Sequence, residues 1–249
     1  VTLMSTHEHL VITDPKRAYP DFLRDLHRLV ALGTKALRKW EGPVWDQQKS
    51  SVVRLLTEQA MVEKLAYVMA NPVKAGLVMH ARHWPGITVL PQELGRRTWV
   101  IERPKVFFRA DNRKWPETVE LTLTLPPALA EAYPAPKVRE AVSEELERQE
   151  REARTEVKAR GWRILGGARL RGLSPYRRAT SSELLRDRNP TFAVGRGQRA
   201  LFFRAVAELR AFRRAYRRAL EQWRAGLRSA VFPQGTWWMC KVHRVAGHT

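Results

Sequence analysis

Cysteine is almost missing from this chain. Cys240 is the single one in 249 residues, which excludes a disulfide framework or a thiolate zinc knuckle and fits a reducing bacterial cytoplasm. Long uncharged apolar runs are missing too, as are the basic and hydrophobic regions of a signal peptide, so no membrane partner is expected. There is no internal repeat, and the glycines of "NPTFAVGRGQR", although able to approach phosphate, match no P-loop. Acidic side chains are scarce: 25 against 45 basic ones, for a formal net charge of +20. Of the basic residues 34 are arginine and 11 lysine, and arginine grips phosphate bidentately while neutralised phosphates release counterions. Nucleic acid is therefore the favoured partner, ahead of a membrane surface or an acidic protein.

The charge is uneven. Residues 1–100 carry 14 basic and 9 acidic side chains, residues 101–249 carry 31 and 16, which points to two regions with different work. From Leu3 to Ile12 the pattern suits one strand, ended by Asp14 and Pro15. Pro20 to Lys39 has apolar residues near helical spacing (Phe22, Leu23, Leu26, Leu29, Val30 and Leu37). After a turn and short strand, Thr57 offers an N-cap for a helix through Ala70 that ends at Asn71-Pro72. Recurrent prolines then mark a linker with one clear strand, "TVELTLTL". A charged helix from about Lys137 to Arg160 shows little apolar face and is expected to be exposed. A second long helix runs from Gln198 to Ala225. The expected division is a core over 1–92, a Pro-rich linker over 93–136 and a basic, mainly helical region over 137–249.

Two features bear on chemistry. In "STHEHLVITD", residues 5–14, His7 and His9 would share one strand face, where neutral imidazoles can bind a divalent cation; a polar strand end with partly exposed rings is the plainer reading. In "LAYVMANPVKAGLV", Tyr67 and Asn71 lie four apart on a helix face. A phenol can attack phosphorus and an amide oxygen can ligate a hard cation; the alternative is a half-buried tyrosine and an asparagine cap.

Together "MSTHEHLVITD", "FLRDLHRLVALGTKALRKWEGPVWD", "LAYVMANPVKAGLV" and "WPGIT" resemble, in order over residues 3 to about 90, the core of single-tyrosine HUH transposases, nearest the REP-associated tyrosine transposases. The resemblance implies an α+β fold with a ferredoxin-like antiparallel sheet. It also implies His7 and His9 as metal ligands with Asn71 as third, Mg2+ or Mn2+ as the metal, and Tyr67 as nucleophile. The implied reaction is cleavage and rejoining of single-stranded or hairpin DNA through a 5′-phosphotyrosine. This sequence departs from the pattern at Glu8, where the family has a hydrophobic residue; Glu8 is expected to be exposed or paired with a basic residue. Family members also carry a strand and a helix before the histidines. Residue 1 is a valine already in a strand-like pattern, so an incomplete sheet is expected, and either the start codon is not read as methionine or an upstream segment is missing.

Outside the core, Arg210, Arg213, Arg214, Arg217 and Arg218 cover one side of the second long helix, with Trp223, Trp237 and Trp238 as stacking platforms for bases. Arg28, Lys35, Arg38 and Lys39 form a second candidate DNA surface. A solvated basic face with core tryptophans is the alternative. His27, His80, His83, His243 and His248 are ascribed no role. Two other functions compete with the transposase: a non-catalytic, decayed or domesticated nucleic-acid-binding relative, and an RNA-processing nuclease using the histidines as acid and base.

Overall fold

The computed structural model describes residues 1–46, 50–109, 111–174, 176–177 and 190–245; His248 lies outside them. In chain order the elements are β1 (Thr2–Leu3), β2 (Glu8–His9), α1 (Tyr19–Arg38), β3 (Arg54–Leu55), α2 (Glu58–Lys74), β4 (Thr98–Glu102), β5 (Thr118–Thr122), α3 (Pro127–Ala132), α4 (Ala135–Ala159), α5 (Gly167–Arg171), β6 (Phe192–Ala193), α6 (Arg199–Arg224) and α7 (Trp237–His243). Short 3-10 turns lie at Ala81–His83 and Pro91–Glu93. The class is mixed helix and sheet, dominated by helix, and the strands form three two-stranded sheets.

The expected single strand from Leu3 to Ile12 is instead a hairpin. The Met4 amide donates to the His7 carbonyl at 2.9 Å, and β1 pairs antiparallel with β2, Thr2 opposite His9. Ser5 and Thr6 occupy the turn, where hydroxyl side chains compete well with a continuing ladder. The other edge of β1 is also occupied: Leu3 donates to Ile87, Val89 donates to Val1, and the Thr2 and Thr88 hydroxyls meet at 2.7 Å. The "WPGIT" segment thus lies beside the histidine hairpin.

Thr57 caps α2 as its type suggests, its Oγ1 accepting from the Ala60 amide at 3.1 Å. The helix does not stop at Pro72 but runs through it to Lys74. Proline so close to the C-terminus removes one hydrogen bond in a turn that is closing anyway. The end is sealed by Gly76 at φ +68°, with Leu77 donating to Pro72 and Gly76 to Val73.

α4 corrects a second expectation. Although thick with charge, it buries Val138, Val142, Leu146, Ala153 and Val157 along one narrow stripe. Val138, Val142 and Leu146 pack on Leu65, Ala66, Met69 and Ala70 of α2, with Leu129 of α3 and with Ala81, Val89 and Leu94, to make the main core, while Ala153 packs on Val73 and Val78 in a smaller cluster. Burying this apolar area is the dominant stabilising term here. The core draws on residues from both the 1–92 and 137–249 segments. The proline-rich stretch between them holds two strands rather than one: "TWVIE", rich in β-branched and aromatic residues, pairs as β4 with β5. Its Val100, Ile101, Val119 and Leu121 remain exposed, whereas Leu123 and Leu125 reach the core. A smaller core joins α6 to α7 around Phe232, Ala219, Ala230 and Met239.

Candidate active site

The histidine hairpin and α2 meet at four residues. The rings of His7 and His9 lie edge-on with centroids 4.9 Å apart, and His9 lies edge-on to Tyr67 at 5.8 Å. Asn71 is buried, its Nδ2 donating to the Tyr67 carbonyl at 2.8 Å, one turn further along the same face. His7 stands at the exposed end of the turn, with Nδ1 3.0 Å from the Thr6 hydroxyl.

Burial pushes the His9 imidazolium down to about 4, helped by the neighbouring His7 and Lys74 and opposed by the Asn71 side chain. His9 is therefore neutral at pH 7. Its Nε2 is buried with no hydrogen-bond partner among the described residues, an unusual condition for a polar atom. Glu8, between the two histidines, pairs with a basic residue: its Oε1 lies 2.8 Å from Nε2 of His27 on α1. The His27 carbonyl accepts from the Trp45 indole at 2.7 Å. His27 thus ties α1 to the hairpin and holds the histidines from behind. His80 likewise has a structural partner, the buried Glu150 of α4, at 2.7 Å.

Sequence reasoning passed over Lys64 and Lys74. Their ammoniums stand over the Tyr67 ring, 4.9 and 4.1 Å from its centroid, close enough for cation–π attraction. The signal was the spacing: positions 64, 67, 71 and 74 follow one helix face. Burial and the nearby Lys64 lower the Lys74 ammonium below its usual range.

Elsewhere the candidates stay apart from these four. Arg28, Lys35, Arg38 and Lys39 are exposed on α1 and its C-terminal cap, and Arg210, Arg213, Arg214, Arg217 and Arg218 are exposed on α6. Of the three tryptophans, Trp223 packs on the small core with Arg228 over its ring, Trp237 is half-buried, and Trp238 is 60% exposed. Trp223 is therefore core rather than platform. The glycines near Arg196 have a structural task as well. Gly195 has φ +79°, and a Cβ there would meet Gln59 at 2.7 Å and the Ala60 amide at 3.0 Å. Its bareness lets the chain close on the start of α2, where β6 pairs parallel with β3.

Among the described residues no group of three or more His, Cys, Asp or Glu gathers to hold a metal ion, so a cation at His7 and His9 would need oxygen donors such as the Asn71 amide, water or substrate. Among the described residues no helix is long and apolar enough to cross a membrane. No protein-family model matches this chain, and neither a curated protein nor a solved structure is significantly similar to it.

Proposed function

We propose that this chain is a transposase or nickase that cleaves and rejoins single-stranded or hairpin DNA through Tyr67, as a cytoplasmic relative of the single-tyrosine HUH enzymes with an incomplete ferredoxin-like sheet. The observation that carries this reading is the meeting of Tyr67, Asn71 and a neutral, unpartnered His9 Nε2. A buried imidazole nitrogen left without a partner suits metal ligation, because ligating histidine must be neutral. His7, His9 and the Asn71 amide oxygen would hold Mg2+ or Mn2+, with water and substrate oxygens completing the shell. When bound, the cation supplies Lewis-acid polarisation of a phosphoryl oxygen.

The chain's own residues supply the rest. In cleavage the Tyr67 Oη forms a bond to phosphorus and gives its proton to water. The phosphorus–O3′ bond breaks, and the 3′ oxygen leaves and takes up a proton. The 5′-phosphotyrosine keeps the phosphodiester's energy, so a second 3′-hydroxyl reverses the step without ATP. Asn71 fixes the helix turn that carries Tyr67, and the Glu8–His27 pair fixes the hairpin that carries the histidines.

A denaturing gel on a labelled hairpin substrate with Mn2+ tests the reading. Wild type yields a covalent adduct, Tyr67→Phe abolishes it with binding retained, and His9→Ala lowers its rate. An adduct that survives Tyr67→Phe overturns the assignment of the nucleophile. The exposure of His7 and the row of solvent-facing arginines on α6 favour a second reading, a non-catalytic DNA-binding relative; binding by wild type without any adduct selects it.

A further inference from the structure

The face of α2 that carries Tyr67 and Asn71 begins with Lys64 and ends with Lys74. Opposite them stand α4 and the turn after β6, and together they enclose a cleft of about 180 Å³ lined by Glu63, Glu145, Arg148, Glu152 and Arg196 as well as by both lysines and Tyr67. Its charges are unequally satisfied. Arg148 reaches Glu145 at 2.7 Å and also pairs with Glu152, and Arg196 reaches Glu145 at 2.7 Å and Glu63 at 3.2 Å. Each carboxylate of the cleft is thereby held by an arginine. Lys64 and Lys74 form no ion pair within 4.0 Å among the described residues, although Glu152 and Glu145 act on Lys74 from further off. They stand half-buried over one aromatic ring. Two ammoniums kept together and partly dry are costly unless an anion joins them.

We propose that Lys64 and Lys74 clamp a backbone phosphate of the DNA strand beside Tyr67, next to the phosphate under attack, with α4 and Arg196 forming the far wall. This rests on the reading that the chain acts on single-stranded DNA. The paired arginines orient the wall and leave the lysines' charge to the ligand, and a phosphodiester is the anion such a strand brings to an open cleft. The row of exposed arginines on α6 differs in kind, since nothing there fixes one phosphate in one place.

The test is a set of oligonucleotides, each with one neutral methylphosphonate linkage, titrated against wild type, Lys74→Met, Lys64→Met and Lys74→Arg. Methionine keeps the apolar stem, so the variants remain folded. Lys74→Met is expected to weaken binding of the all-phosphate strand about tenfold, as for loss of a charge-assisted hydrogen bond. Lys74→Arg should recover most of that loss. At one linkage, and only one, neutralising the phosphate should weaken wild type more than it weakens Lys74→Met or Lys64→Met, since each variant has already lost one of the two contacts. A penalty spread evenly over all linkages, or no penalty, overturns the clamp while leaving DNA binding intact. If wild type itself binds no strand, the DNA reading fails and takes the clamp with it.

Discussion

The helix pair α2–α4 and the basic helix α6 are both amphipathic and both rich in charge, yet they are built to opposite ends. On α4 five of the seven glutamates, Glu145, Glu147, Glu150, Glu152 and Glu156, pair with arginine, Arg148 serving both Glu145 and Glu152. The stripe beneath them is dry. On α6 only Ala205 and Ala219 are buried, and Leu201, Phe202 and Phe203 face solvent with the arginines. The first region uses its charges internally to hold a shape, and the second leaves them available over a surface. On the proposed function, a localised site belongs to the first and diffuse phosphate attraction to the second.

The largest effect that could break this contrast is on stability. Met69→Ala should cost about 2–5 kcal/mol by opening a cavity between α2 and α4, whereas Leu201→Ala on α6 should change stability by less than about 0.5 kcal/mol. Urea denaturation of both variants decides it, and similar losses would show that α6 is as tightly integrated as α2. Gly195→Ala should come next, costing about 1–3 kcal/mol, since it forces both a left-handed backbone and a clash with Gln59 and Ala60. Changing Arg210, Arg213, Arg214, Arg217 and Arg218 to glutamine should leave the urea midpoint in place. If the chain binds DNA as proposed, it should reduce the salt dependence of that binding, with the log–log slope falling by about 1 for each phosphate no longer neutralised. An unchanged slope returns that helix to a solvated face.

The last effect is a matter of pH. His9 is held near 4 in the fold against about 6.5 in an unfolded chain. Between those values the unfolded state binds the extra proton, so stability declines as pH falls through that window. Melting temperatures from pH 7 to 4 should therefore decline less steeply in His9→Gln than in wild type. Glu145 acts in a lower window. Its burial is outweighed by hydrogen bonds from Arg148 and Gln149 and by the charge of Arg196, which hold it at about 2, so its share of stability is lost only as pH drops below the ordinary carboxylate range.

Much of the local architecture around Tyr67 could be read from residues alone, because short-range rules govern it. Thr57 at the cap, Tyr67 and Asn71 one turn apart and a basic partner for Glu8 all follow from spacing and charge. What escaped needed partners distant in sequence. The stripe Val138, Val142, Leu146 looks thin until α2 is laid against it, and Gly195 looks like a phosphate loop until Gln59 is seen beneath it. The hairpin turn at Ser5 and Thr6 was hidden because neither residue is the glycine or proline that ordinarily marks a break. Lys64 and Lys74 were in plain view, but a lysine's meaning depends on whether a carboxylate stands near, and the carboxylates here are already taken by arginines from α4 and the β6 turn.

The hydrogen bond between Arg196 and Glu63 joins positions 133 residues apart, and it has a consequence in time. At about 5–20 residues per second, a ribosome that has added Glu63 needs roughly 7 to 27 s more to deliver Arg196. During that interval the histidines and tyrosine have already been made, but the far wall of the cleft lacks α4 at first and Arg196 until the end. A message broken or a translation halted within that span would yield a polypeptide carrying the histidines and Tyr67 without the enclosure that surrounds them. Synthesis order thus separates making these side chains from making the cleft beside them.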